Sequence, residues 1–324
     1  MRVLIVTNMY PNPTNIHAGI FVAEQERNLK KYFPGIEIDV YYMPTEAHKV
    51  EYLKSFWEVP RKIKHGKYDL VHVHFGTTGL FLLNPFFSPK IPVVMTLHGG
   101  DIQPEQGKYV QNRLCHHILK HVDYTFTLNA HMHTIAKKYC DACKIVPCSV
   151  NTNLFKPVRE RKASIDKKEF NIIFPSSPDR PIKDYPLFER TLKVMRDKYG
   201  FVCHEQILHG FTRDQLADFF DKADAVLMTS ISEGSPQVVK EAMSCNCPVI
   251  STNVGDVEVV LNGAAGCAFV NEHEENALAE KLFLSLQGKI PGKSPRQQIL
   301  DLELDDKAIT TKIYNVYKSL LVRK

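Results

Sequence analysis

The sequence predicts an α/β protein of two similar halves, each a mostly parallel sheet covered on both faces by helices. Short apolar runs alternate with amphipathic stretches along the whole chain, the pattern of repeated strand–helix units. At 324 residues there is room for two domains of ordinary size. A polar connection over residues 151–169, including Pro157-Val158-Arg159-Glu160-Arg161-Lys162, reads as the linker between them.

The first half opens with strand Arg2–Thr7, whose Val3-Leu4-Ile5-Val6 run is apolar throughout, as in strands buried on both faces. A Pro/Asn-rich loop over 10–18 leads to a helix over Ile20–Tyr32, with Phe21, Val22, Leu29 and Tyr32 available for one face. Strand Glu37–Tyr42, an irregular basic and aromatic stretch over 49–67, and strand Leu70–His74 follow. A strand over 93–97 runs into His98-Gly99-Gly100-Asp101, where paired glycines let backbone approach a ligand. A helix through Leu114 and Leu119, a strand over 124–128, a helix over 131–139 and a strand over 144–147 complete this half.

The second half begins with a strand over 171–174 and a helix over 185–198, then a strand near 206–208. Thr212 suits the N-cap of a helix over 215–222. A strand over 225–229, a helix over 236–244, a strand over 248–251 and a short helix over Val257–Leu261 come next. Helices over 276–286 and 306–321 end the chain.

The segment that bears most on function is Glu233-Gly234-Ser235-Pro236 followed by Glu241, two glutamates with seven residues between them. Ala225-Val226-Leu227-Met228 precedes it and Pro248-Val249-Ile250-Ser251 follows, so it reads strand, tight loop, helix, strand. Pro236 suits a first helical turn, where its missing N–H costs nothing. Glu233 then lies in the loop at the carboxyl end of a strand, where open parallel sheets bind ligands, beside a helix N-terminus that favours an anion.

The run Glu233-Gly234-Ser235-Pro236-Gln237-Val238-Val239-Lys240-Glu241-Ala242-Met243 resembles the E-x7-E signature of family 4 of the retaining, nucleotide-sugar-dependent glycosyltransferases. The flanking strands and the later Gly255-Asp256 strengthen the likeness. The resemblance implies the GT-B fold: two Rossmann-like domains whose parallel sheets face a cleft, an acceptor domain over 1–156 completed by the last helix, 306–324, and a nucleotide-sugar domain over 157–305. It implies that Glu233, with the backbone of Gly234 and Ser235, holds the donor sugar, and that Glu241 holds the ribose. It implies that His98 reaches the sugar, with Asp101 beside it. The family's Gly-Gly pair in the first strand–helix loop survives here as Ala18-Gly19, near the donor phosphates. Arg180 and Lys183 would neutralise the leaving diphosphate in place of a divalent metal. The family's usual Arg–Lys spacing is longer than the two residues found here, which makes Lys183 the firmer assignment. The family also places two strand–helix units between Lys183 and Ala225, where this chain has room for one. The backbone near His209–Phe211 is the candidate contact for the base.

Each position also has a plain structural reading: a solvated basic turn at Arg180 and Lys183, a turn glycine at Gly19, a hydrogen-bonded cap at His98. Cys140, Cys143 and Cys148 with His131 and His133 invite a zinc reading through the C-x-x-C spacing, but no second tight pair accompanies it, and core and surface thiols are the favoured reading.

Composition sets the remaining bounds. Forty-four per cent hydrophobic and 24% charged residues are ordinary for a globular protein. No apolar run reaches the roughly 18 residues a membrane helix needs. The N-terminus enters a strand directly, and the eight cysteines read as free thiols of a cytoplasmic protein. Residues 1–156 hold 18 Lys and Arg against 12 Asp and Glu, net +6, while 157–324 hold 23 against 24, net −1. The stretch 52–64, with the single Trp, suits either an amphipathic helix packed on its own domain or peripheral contact with the inner face of a membrane. No G-x-G-x-x-G follows the first strand, which disfavours a redox Rossmann enzyme.

The expected function is a metal-independent, retaining hexosyltransferase with no cofactor, moving a sugar from a nucleotide-diphosphate sugar to a hydroxyl of a glycan or lipid-linked glycan. Nucleic acid is not an expected partner. The alternatives are another GT-B enzyme, either a sugar-nucleotide epimerase or a phosphorylase, or a catalytically silent nucleotide-sugar-binding protein.

Overall fold

The computed structural model describes residues 1–12, 18–44, 50–103, 108–159, 167–208 and 210–322. The chain divides into two compact units, Met1–Pro147 with Asp306–Lys324, and Cys148–Asp305.

The first unit is built on six parallel strands in the order β2-β1-β3-β4-β5-β6: β1 Arg2–Thr7, β2 Glu37–Tyr42, β3 Leu70–His74, β4 Val93–Thr96, β5 Tyr124–Thr127 and β6 Cys143–Ile145. Val3, Leu4, Ile5 and Val6 have no exposed surface, because helices cover both sheet faces. The covering helices are α1 Ile20–Tyr32, α2 Glu51–Gly66, α3 Tyr109–Leu119 and α4 Ala130–Ala136. The strand order reverses between β1 and β3, the place where open parallel sheets leave a crevice at their carboxyl ends.

Most of the stretch read as irregular is a regular helix, Glu51–Gly66. Ser55, Val59 and Ile63 recur every fourth residue and bury one stripe. Pro60 lies inside the helix and has no N–H for the carbonyl of Phe56. Asn84 Nδ2 donates to that carbonyl instead, at 2.9 Å, so the interruption is compensated by a side chain. A 3-10 helix, Gly76–Leu83, absent from the sequence reading, precedes Asn84.

The second unit has five parallel strands in the order β11-β10-β9-β7-β8: β7 Glu169–Phe174, β8 Val202–Ile207, β9 Ala225–Met228, β10 Val249–Thr252 and β11 Ala268–Val270. One strand lies between Lys183 and Ala225, as the shortened spacing implied, but it begins at Val202, earlier than the sequence suggested. Its helices are α5 Tyr185–Tyr199, α6 Arg213–Lys222, α7 Gln237–Ser244, α8 Val257–Leu261, α9 Glu275–Leu286 and α10 Pro295–Asp301. The three-residue β11 and the seven-residue α10 are too short to leave a periodic signal. Gly200, at φ +68°, closes α5 with its N–H on the carbonyl of Arg196. Thr212 and Gln215 form a capping box on α6.

The final helix, α11 Asp306–Val322, joins the first unit. Tyr314 stacks on Phe33 with ring centroids 3.7 Å apart. The segment following Pro147 sides with the second unit, earlier than the boundary at 156 read from sequence. Phe155 is fully buried, its carbonyl accepting from Ser244 Oγ at 2.5 Å and from Arg296 Nη1 at 2.8 Å. The expected linker over 151–169 is therefore anchored at its start; residues 160–166 lie outside the described residues.

Candidate functional site

In the second unit the strand order reverses between β7 and β9. The loops leaving these two strands are stitched together: Ile231 N donates to Ile182 O at 2.9 Å, and Thr229 Oγ1 reaches the carbonyls of Lys183 and Asp184, each at 2.9 Å. Lys183 closes a 3-10 turn, Pro181–Lys183, and Asp184, at φ +46°, caps α5 through Leu187 N. The turn delivers the Lys183 ammonium onto the Glu233 carboxylate. Both side chains are mostly covered, at 12% and 15% exposed, so the pair is little screened by solvent.

Glu241, one face of α7, is only 4% exposed in its side chain and is paired with Arg213 Nη1 from the first turn of α6. The Arg213 guanidinium also lies over the Phe155 ring, 4.9 Å from its centroid. The sequence reading passed over Arg213. The signal was available: a cation directly after an N-cap, at the carboxyl side of β8, points into the same crevice as the β7 and β9 loops.

The Ser235 side chain, on which the sequence reading placed no role, is taken up inside the loop. Its hydroxyl donates to Asp256 Oδ2 at 2.8 Å and accepts from Lys240 Nζ at 2.8 Å and from Cys148 N at 3.0 Å. Lys240 has no exposed surface and pairs with Asp256 Oδ2 at 2.8 Å. The side chain is thus spent on holding the loop, and only backbone remains for a ligand. Gly255, at φ +65°, lies so near that a Cβ there would stand 2.8 Å from Gly234 O. A buried ion pair and a glycine contact thus fix the loop that carries Glu233. Arg180 stands exposed at the start of the 3-10 turn, and His209 lies outside the described residues.

In the first unit His98 leaves β4 into a tight loop organised by Asp101. The Asp101 carboxylate has no exposed surface and accepts from the N–H groups of Gly76 (2.9 Å), His98 (3.1 Å) and Gly99 (2.9 Å). Burial raises its pKa against the pull of those amides. Asp101 is sealed in the loop and corrects the expectation of a donor contact: it positions His98. Gly19, at φ +59°, serves a close backbone approach to Met9, whose carbonyl carbon would lie 2.2 Å from a Cβ; His17 lies outside the described residues.

Behind His98 stands a row of histidines that sequence reading did not single out. His74 Nδ1 is 3.2 Å from His98 Nε2, and Gln25 Nε2 lies 3.4 Å from His74 Nε2 and 3.3 Å from His72 Nδ1. His72 Nε2 meets Thr96 Oγ1 at 2.7 Å, and its Nδ1 takes the hydroxyl of Tyr317 on α11. If the Gln25 amide donates, His74 must carry its proton on Nδ1 and donate to His98 Nε2. Burial pushes His72 down to about 3, with the neighbouring His98 adding to it, and drives His74 well below its ordinary value. His98 moves the same way as its surroundings desolvate it, although part of its ring stays exposed.

The thiols Cys140 and Cys143 are both shifted upward by burial, and Cys140 Sγ donates to Ala142 O at 3.4 Å. Among the described residues no group of three or more His, Cys, Asp or Glu side chains is arranged to hold a metal ion. Among them, too, no helix is long and apolar enough to cross a membrane.

Residues 2–154 match the family model described as Glycosyltransferase Family 4, and residues 189–287 match the one described as Glycosyl transferases group 1. A D-inositol 3-phosphate glycosyltransferase of Paenarthrobacter aurescens is 23% identical over 265 residues, 67% of this chain and 64% of that protein. The chain thus spans less than two thirds of that relative's length. Two solved structures share the fold. Sucrose-phosphate synthase from Thermosynechococcus elongatus, 16% identical, matches with a TM-score of 0.75 over 100% of both chains. HepE from Anabaena, in complex with UDP and glucose, is 14% identical with a TM-score of 0.71, covering 98% of this chain and 100% of that one. Two parallel-sheet α/β domains of the GT-B type are therefore established for this chain.

Proposed function

From two glycosyltransferase domain families matched on one chain, we propose that this protein transfers a sugar from a nucleoside-diphosphate sugar to an acceptor hydroxyl. The observation that carries this reading is the pair of basic–acidic contacts at the strand-order reversal of the second unit, Lys183 with Glu233 and Arg213 with Glu241. A diphosphate arriving there meets a lysine held in a turn and a fixed loop. The Lys183 ammonium moves its charge from the Glu233 carboxylate to the phosphate oxygens, and Glu233 is released to accept hydrogen bonds from the sugar. Glu241, braced by Arg213, accepts from the ribose hydroxyls, and the backbone of Gly234 and Ser235 lines the sugar. Arg180, exposed nearby in sequence, adds a guanidinium fork for phosphate. His98 presents a neutral imidazole to the substrate on its own unit.

In the retaining reading, the anomeric C–O bond breaks, the nucleoside diphosphate leaves, and the acceptor oxygen bonds to the same face of the sugar. The acceptor proton passes to the departing phosphate oxygen. Lys183 stabilises the developing charge, so neither a metal ion nor an organic cofactor is required. A hexose donor, and a glycan or lipid-linked acceptor of polysaccharide synthesis, complete the proposal.

The test is a thermal-shift screen of nucleoside diphosphates and their sugars, followed by product detection with the ligand that binds. A ligand that binds only the folded state raises the melting temperature with its affinity. One nucleoside diphosphate should do so in the wild type and much less in Lys183→Ala. No shift with any of them at millimolar concentration would end the donor-site assignment.

A further inference from the structure

α2 buries one stripe and turns a different one outward. Val50, Leu53 and Trp57 are 48%, 67% and 61% exposed, and Lys54, Arg61 and Lys64 are exposed with them. At 100° per residue these six positions fall on one face of the helix, opposite Ser55, Val59 and Ile63. The aromatic surface continues off the helix. The Asn84 side chain that caps the Phe56 carbonyl also accepts from Phe86 N at 2.9 Å, which holds Phe86, 85% exposed, beside α2. Lys54 is paired with Glu51, and Glu58 accepts from the Tyr41 hydroxyl. Arg61 and Lys64 have no carboxylate partner among the described residues. An open notch lined by Tyr41, Glu58, Arg61, Lys62 and His65 adjoins this face.

Scattered apolar residues on a surface need no explanation, but exposed Leu, Trp and Phe side chains on and beside one helix, accompanied by cations, do. The charge of the unit points to the occupant. Residues 1–147 with 306–324 hold 22 Lys and Arg against 13 Asp and Glu, net +9, whereas residues 148–305 hold 19 against 23, net −4. A protein partner would need a shaped apolar counterpart. An anionic surface needs only cations around aromatics that sit at the level of head groups.

We propose that the outward face of α2, with Phe86, docks the first unit onto an anionic lipid bilayer. Leu53, Trp57 and Phe86 enter the head-group layer, and Arg61 and Lys64 meet the lipid phosphates while their aliphatic stems lie along it. The inference concerns attachment alone and does not depend on the transfer reaction.

Trp57 is the chain's single tryptophan, so its emission reports on this face directly. The purified full-length protein is titrated with vesicles of phosphatidylcholine alone and with phosphatidylglycerol added, reading Trp emission and flotation together. With anionic vesicles the emission should shift to the blue and the protein should float, less so as salt rises. Leu53→Glu, which keeps the reporter, and Arg61→Glu/Lys64→Glu should each weaken this about tenfold or more, with melting temperatures that show the fold intact. Absence of both signals with anionic vesicles at low salt would overturn the proposal. So would a blue shift that follows protein concentration without lipid and coincides with dimers in sedimentation, since a second copy would then cover the face. Equal flotation of the wild type and the charge-reversal variant would place the attachment elsewhere.

Discussion

Glu233 and Glu241 are the same carboxylate with different neighbours. Glu233 faces a lysine on a turn that a ligand can draw away. Glu241 is nearly buried against an arginine that also packs on a ring. An interaction stronger in the transition state lowers kcat when lost, and one equal in both states raises KM. Glu233→Gln should therefore depress kcat by about 10²–10³, the scale of one preorganised electrostatic group. Glu241→Gln should mainly weaken nucleotide binding. Steady-state kinetics with calorimetric titration of the nucleoside diphosphate separates the two, and an unchanged kcat in Glu233→Gln would remove the leading residue of the site. The charge that Lys183 brings also predicts that transfer survives EDTA; a strict need for added manganese would contradict it. The two glutamates and Lys183 were legible because a loop motif between apolar runs announces itself locally. Arg213 left only the trace of a cation directly after an N-cap, because its partner lies 28 positions away and no spacing rule connects them. Asp101 was read as a ligand contact because sequence shows which residues border a loop and not which way a carboxylate turns.

At the scale of elements, most strands and long helices could be read to within a few residues of their ends, β8 apart. Failures fell where tertiary contacts decide. The amphipathic reading of 52–64 gives α2 but not its extent, because Pro60 interrupts the ladder and a side-chain amide from outside the helix compensates for it. β3 reads as a buried strand, yet His72 and His74 stand in it with almost no exposure. That burial has a measurable cost. His72 is neutral in the fold with a pKa near 3, but in the unfolded chain it takes a proton near the ordinary value of about 6.5. The unfolded state thus binds more protons between these values. Stability is fully present above pH 6.5 and is lost as pH falls toward 3, by at most about 1.4 kcal/mol per pH unit for each such ring. Thermal unfolding from pH 7.5 to 4.5 should show a falling midpoint, with a shallower slope in His72→Gln. A flat profile in the wild type would mean the ring takes up its proton alike in the folded and unfolded states.

At the scale of the whole molecule, the two-sheet architecture was visible in the alternation of strands and helices, and the early boundary after Pro147 was not. The stretch from Cys148 to Phe155 looks polar and loose, and what holds it lies far along the chain, in Ser235, Ser244, Arg296 and Leu304. The last helix has a further consequence. Since α11 supplies Tyr314 to Phe33 and Tyr317 to His72, the first unit is discontinuous and the second is an insertion within it. A ribosome therefore finishes 148–305 while the opening 147 residues still lack a wall. The inserted body can mature first, and the outer one must wait until α11 has been made. Residues 148–305 expressed alone should melt cooperatively. Residues 1–147 alone should expose His72 and Phe33 and remain protease-sensitive until a peptide of residues 306–324 is added. Equal protease resistance with and without the peptide would show that the opening segment closes by itself.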